Sequence, residues 1–160
     1  MNLRAYLICL VLIFLYHNYG LQTSEGASPK SKHTFRAHIE TGYAAGLAPT
    51  QVQEVYLTDP EQKIYVRVIP EISENDIQAI EARITNQGLG ALITLNRRGR
   101  ISLATCTSEN LGRILVFMLN GRVIYAPVLD VPITNGQILI PRGFLPEEIE
   151  ALKKQSKKNR

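Results

Sequence analysis

The clearest hydrophobic pattern in the chain runs from Leu115 to Ile133, where two apolar segments flank Asn120-Gly121. Asn-Gly is a favoured pair for a two-residue type I′ hairpin, because both positions need positive φ. Counting outward from that turn sets Met118 opposite Val123, Phe117 opposite Ile124 and Val116 opposite Tyr125. One predicted face carries Leu115, Phe117, Leu119, Ile124 and Ala126; the other carries Val116, Met118, Val123 and Tyr125. Both faces are apolar, whereas an antiparallel sheet with one wet face alternates with polar residues. Either both faces are covered, or one is open to a partner. Pro127 has no N–H to donate and marks a sheet edge or the end of pairing.

Upstream, Lys63 to Ile69 alternates, with Ile64, Val66 and Val68 on one side, and predicts a half-buried strand that Pro70 ends. Ser73-Glu74-Asn75-Asp76 resembles a capping box, and Ile77, Ile80 and Ile84 then recur at helical spacing. The pattern predicts a helix there, stopped at Asn86-Gln87-Gly88, followed by a strand over Leu89 to Leu95. Arg97 to Asn110 is ambiguous by periodicity: Ile101, Leu103 and Thr105 alternate, and β-branched residues favour a strand. After Ile133, Asn135-Gly136 turns the chain, Gln137 to Ile140 is a short strand, and Pro146 opens a last helix. Acids at Glu147, Glu148 and Glu150 and lysines at the far end suit that helix's dipole.

The first residues differ from the rest of this 160-residue chain. After Arg4, Ala5 to Tyr16 is unbroken apolar sequence. As a helix it reaches about 18 Å, against a hydrocarbon core of roughly 30 Å. That length fits a secretory signal peptide over 1–26, with small residues Ser24 and Gly26 before Ala27; an uncleaved N-terminal anchor is the alternative. Residues 27–52 mix Ser, Gly, Ala, Pro and Lys and are expected to form a flexible arm, with His33 and His38 solvated in it. A folded domain over 53–153 and a basic tail over 154–160 complete the expected organisation.

Net charge is +4, but Lys153, Lys154, Lys157, Lys158 and Arg160 supply five positive charges at the end, and the remainder is close to neutral. No nucleic-acid surface is expected. The basic end could lie as a solvated helix terminus or make weak contact with anionic lipid headgroups. Cleavage before Ala27 would leave Cys106 as the only cysteine, so no intramolecular disulfide is expected. The sequence carries no HExxH, GxSxG or phosphate-cradling glycine loop and no paired His–Cys site. The expectation is a non-enzyme without cofactor or metal.

An ordered series of short motifs adds to this reading. Leu95-Asn96-Arg97-Arg98-Gly99, Thr107-Ser108-Glu109-Asn110-Leu111-Gly112, Leu119-Asn120-Gly121-Arg122-Val123 and Ala126-Pro127-Val128 occur in this order between Leu95 and Val128. Ile133-Thr134-Asn135-Gly136, Gly143-Phe144 and Glu147-Glu148 come after them. In order and spacing this series resembles the head of the first periplasmic domain of the SecD family, over roughly Val55 to Lys153. Asn110, Gly112, Asn120, Gly121, Ala126, Pro127, Gly136 and Gly143 are the motif positions that carry the resemblance. It implies an α+β fold in which a small antiparallel or mixed sheet packs with two to three helices. It also implies a helix over Arg98 to Asn110, with Cys106 as a small buried apolar residue. Two positions depart from the pattern: Asn120 stands where the family has Asp, and Arg98-Gly99-Arg100 where it has Glu-Gly-Ala.

SecD-like proteins use proton flow through membrane helices to help move preproteins, and no second apolar run of spanning length follows Tyr16. The expectation is therefore an exported, non-catalytic module, periplasmic or secreted, or anchored to the inner membrane through residues 5–16 if uncleaved. It would contact unfolded or translocating polypeptide, or export machinery, through Val116, Met118, Val123 and Tyr125. The alternative is a diverged adaptor or structural domain with a folded partner and no part in export.

Overall fold

The computed structural model describes residues 33–42, 46–58 and 60–158. The expected signal peptide or anchor, and most of the arm before β1, lie outside them. Among the described residues nine strands and two helices follow in order: β1 (Phe35–Thr41), β2 (Val52–Thr58), β3 (Glu61–Arg67), β4 (Ile72–Ser73), β5 (Ile77–Thr85), β6 (Gly88–Leu95), α1 (Arg97–Glu109), β7 (Leu115–Leu119), β8 (Arg122–Tyr125), β9 (Gln137–Ile140) and α2 (Pro146–Lys158). The larger sheet has the order β2-β3-β1-β7-β8, with β4 also on β1, and the smaller has the order β5-β6-β9. Among the described residues every strand pairing is antiparallel. The expected α+β class, with antiparallel sheets and two helices, is the one observed.

Helix α1 spans the stretch that alternation left ambiguous. Asn96 caps it, its side-chain oxygen accepting from the Gly99 N–H at 2.9 Å. At the other end Asn110 Nδ2 donates to the Cys106 carbonyl at 2.8 Å. Leu103 and Cys106 point into the core. Helix α2 carries Ile149 and Leu152 inward, and it continues to Lys158, so residues 154–158 of the tail expected over 154–160 are helix.

Two expectations are corrected. Residues 35–41, read as part of a flexible arm, form β1, which lies between β3 and β7. His38 on that strand is buried rather than solvated. The helix expected from Ile77 onward is strand β5, preceded by one 3-10 turn over Glu74–Asp76. Ser73 does begin a local turn, its N–H donating to Asp76 Oδ2 at 2.9 Å. The helical spacing of Ile77 and Ile80 has another cause. Ile77 faces Leu95 and Ala79 faces Thr94, so Gln78 is an extra residue in the ladder. The bulge puts two positions three apart on one face of a strand. Both isoleucines are buried, whereas Ile84, on the same spacing, is 93% exposed near the hairpin end. Asn86-Gln87 is the β5–β6 turn, not a helix stop. In β3, Ile64 and Val66 are buried as expected, but Val68 lies past the strand and is exposed.

The core is in two parts. The larger joins Phe35, Ile39, Leu115, Phe117, Leu119 and Ile124 of the larger sheet to residues of both helices and of the smaller sheet. The smaller lies on the sheet's other face, where Val55, Leu57, Ile64 and Val66 of the β2–β3 hairpin cover Ile114 and Val116.

Candidate functional site

The β7–β8 hairpin turns as its sequence predicts. Asn120 and Gly121 have φ of 51° and 81°, both in the left-handed region that Asn and Gly tolerate. The turn is tied down on both sides. Asn120 N–H donates to the Thr34 carbonyl at 2.9 Å, and Thr34 N–H donates to Asn120 Oδ1 at 3.1 Å. Arg122 reaches the buried Glu148 carboxylate at 2.7 Å, and Leu145 N–H donates to the same oxygen at 2.9 Å. Glu148 thus joins the hairpin to the start of α2.

Beyond the turn the expected register fails. Met118 faces Val123, but Phe117 faces Tyr125, so Ile124 is extra. This bulge exchanges the faces of everything after it. Tyr125 packs with the larger core, its ring 6.2 Å from that of Phe117, while Ala126 packs with the smaller one. Gly143, at φ +96°, fits against the bulge: a Cβ there would lie 2.9 Å from Ile124 Cβ. Val116 is completely buried beneath the β2–β3 hairpin and is not a surface residue. Of the four expected contact residues, Met118 and Val123 are half-buried on the smaller-core side, and Tyr125 is half-buried on the other.

Met118 and Val123 open onto a groove. One part, of about 470 Å³, is lined by Leu57 and Thr58 of β2, Arg122 to Ala126, and Arg142 and Gly143. A second part, of about 480 Å³, is lined by Gln53 to Tyr56, Thr58, Met118 and Gly121 to Val123. The two flanking strands, β2 and β8, are the opposite ends of the larger sheet. The sheet therefore curls until its ends face each other across a gap. Gln53 Nε2 reaches Met118 Sδ at 3.9 Å across its inner side. On the outer surface of β2, Glu54 is held below the usual carboxylate range by the Tyr56 hydroxyl, and Lys63 lies 3.3 Å from it.

Sequence reasoning missed the β2 wall. Its signal was present, since Gln53-Glu54-Val55-Tyr56-Leu57 alternates, and Val55 and Leu57 are buried while Glu54 and Tyr56 are exposed. His38 was also missed. Its ring Nδ1–H donates to the Arg67 carbonyl at 2.8 Å, where the chain leaves β3. Burial holds this imidazole below its ordinary 6.5; the Arg67 bond opposes that, Arg36 adds to it, and Glu71 opposes it. Burial likewise pushes the Cys106 thiol up to about 12, as a small core residue.

The remaining motif positions serve turns and close approaches. Gly112 has φ +81° and its N–H donates to the Leu129 carbonyl, while Pro127 offers its carbonyl to Leu115 N–H. Gly136, at φ +72°, lies where a Cβ would meet the Arg100 side chain at 2.7 Å. Among the described residues no group of three or more His, Cys, Asp and Glu side chains comes together as a metal site. No helix among them is long and apolar enough to cross a membrane.

Fold and groove define an α+β domain whose larger sheet is helix-packed on one face and curls around an open groove on the other. The profile of the SecDF P1 head subdomain matches residues 50–155, and the chain belongs to that family. A solved structure of SecDF, described as a membrane component that enhances protein export, matches with a TM-score of 0.53 and 20% identity, over 76% of this chain and 60% of that one. SecDF in its super-membrane-facing form matches with a TM-score of 0.55 and 19% identity, over 76% of this chain and 18% of that one. At these identities the likeness is one of fold, and this chain spans less than two thirds of each of those chains. None of the curated proteins matches it.

Proposed function

We propose that this protein is an exported, non-catalytic head module that holds extended polypeptide in the groove between β2 and β8. One observation carries the reading: the apolar Met118 and Val123 are half-buried in a groove between two strand edges, while Leu115, Val116, Phe117, Leu119 and Ile124 of the same hairpin are buried. A flexible thioether and a small branched chain suit a tolerant contact that does not select one sequence. Membership of the head family supports a place in protein export. The contact set proposed here is Met118 and Val123 from β7 and β8; Tyr125 borders the groove's end, but its ring is turned to the larger core.

A reduced, carboxamidomethylated protein, fluorescently labelled and unable to refold, is the probe. It should bind saturably, while the same protein in its native state should not. Val123→Ser should weaken binding by roughly tenfold with little change in the unfolding midpoint, because it removes apolar contact from the groove floor while leaving a small neutral side chain there. Equal binding by the variant would contradict the reading.

A second reading, an adaptor with a folded partner, draws on a different surface. Leu111, Val128 and Val131 are 49%, 59% and 62% exposed on two loops joined by backbone hydrogen bonds.

A further inference from the structure

The groove's two walls are strand edges, and their directions are fixed. Each neighbour in the order β2-β3-β1-β7-β8 is antiparallel to the next. Four antiparallel steps separate the first of these strands from the fifth, so β2 and β8 run the same way. The groove linings agree: Gln53 to Tyr56 lie with Gly121 to Val123, and Leu57 and Thr58 extend to Ala126. The two ends could close on each other only as a parallel pair, the slightly less stable arrangement. A single additional strand, antiparallel to both, would instead complete an all-antiparallel ring.

Both edges have backbone groups for such a strand. Leu119 and Arg122 flank the two-residue turn and form the hydrogen-bonded pair. The next pair, Met118 and Val123, is then a non-hydrogen-bonded one, and the Val123 N–H and C=O point away from β7, toward the groove. On the far wall, His38 takes the Arg67 carbonyl on the β1 side, and Val68 N–H donates to the Gln51 carbonyl on the β2 side. Alternation along β3 then turns Ile64 and Val66 toward β2, where they face Val55 and Gln53. The groups of Glu54 and Tyr56 are left on the outer edge. Among the described residues no strand pairs with the outer edge of β2 or of β8. Arg142 and Gly143 lie against Ile124 and end the open stretch.

We infer that polypeptide binds here as one added β-strand, antiparallel to both β2 and β8, recognised by its backbone. β8 has four residues, or about 13 Å of strand, so a stretch of four or five residues fills the gap. Alternate side chains of that stretch face Met118 and Val123 and prefer to be apolar; the others face outward and are unrestricted. The occupant's N-terminal end lies by Thr58 and Arg142, and its C-terminal end by Gln53 and Gly121. This rests on the polypeptide-binding reading and adds its mode and direction.

The test uses a short alternating valine–threonine peptide and the 160-residue chain labelled for NMR. A nitroxide on the peptide's N-terminus should broaden the amide signals of Thr58 and Arg142, and one on its C-terminus those of Gln53 and Gly121. N-methylating alternate amides of the peptide should weaken binding by roughly tenfold or more on the bonding register and much less on the other. The opposite direction, no preferred direction, or indifference to N-methylation would overturn strand addition while leaving polypeptide binding in place. Binding of the unfolded protein but not of the peptide would do the same. Failure of both to bind would overturn the functional reading as well.

Discussion

The two faces of the larger sheet differ in what covers them. On one side Phe35, Phe117 and Leu119 are closed over by two helices and a second sheet, and almost nothing is exposed. On the other side the cover is the sheet's own β2–β3 hairpin, which buries Val116 but leaves Met118 and Val123 half open. The same β7–β8 hairpin thus gives one face to the closed core and, in the proposed function, the other to contact. Between them sits one extra residue, Ile124, which puts Tyr125 with the stable side and Ala126 with the open one.

That division can be broken most strongly at Phe117. Its ring stacks with Phe35 at 6.1 Å and Tyr125 at 6.2 Å, so Phe117→Ala should cost about 3–5 kcal/mol, measured by urea unfolding. Met118→Ala, one residue along on the open face, should cost well under half as much. Equal losses would mean that both faces are core. Tyr125→Ser and Val123→Ser sharpen the comparison. The first should cost about 2 kcal/mol by removing a half-buried ring from the larger core, and the second less than about 1 kcal/mol. Probe binding should rank them the other way.

The turn gives a third, smaller contrast. Gly121→Val forces a β-branched residue toward positive φ and should cost about 1–2 kcal/mol. Asn120→Asp keeps tolerance of that region but loses the Nδ2 donor that lies 3.3 Å from Glu148, and puts a second carboxylate near it. It should be the milder of the two.

A fourth test concerns the hairpin that covers the open face. His38 bonds the end of β3 to β1 and is held neutral by burial. Its folded pKa is lowered, so the unfolded chain takes up the proton first. The neutral ring's contribution is complete above about 6.5 and is lost as pH falls below that toward the lowered folded value. Urea midpoints measured across this range should fall for the native chain. His38→Gln should be less stable at high pH and show a shallower fall, whereas identical slopes would remove His38 as the cause.

Local chemistry was legible in the sequence. Asn120-Gly121 specified its turn because both positive-φ positions are written in two adjacent residues. Helix α1 was not legible from alternation; the motif series supplied it, and the Asn96 cap shows why the chain turns there. The two bulges could not be read. At Gln78 an extra residue made a strand look helical, and at Ile124 it exchanged Tyr125 and Ala126 between faces. The second bulge has Gly143 packed against it, a residue that lies outside the hairpin. β1 carries a strand's alternation, Phe35, Ala37 and Ile39 against Arg36, His38 and Glu40, but it lies within a stretch of mixed Ser, Gly, Ala, Pro and Lys, and the burial of His38 depends on a carbonyl in β3. The groove depends on the curl of five strands, so no segment alone could show that β2 and β8 face one another.

The most direct measurement of the division between faces is a map of backbone amide shifts as the reduced, carboxamidomethylated protein is added to the labelled chain. Changes should concentrate at Gln53 to Thr58 and Gly121 to Ala126, on both walls of the groove. Changes centred instead on Leu111, Val128 and Val131, or no saturable change on either groove wall, would contradict the account.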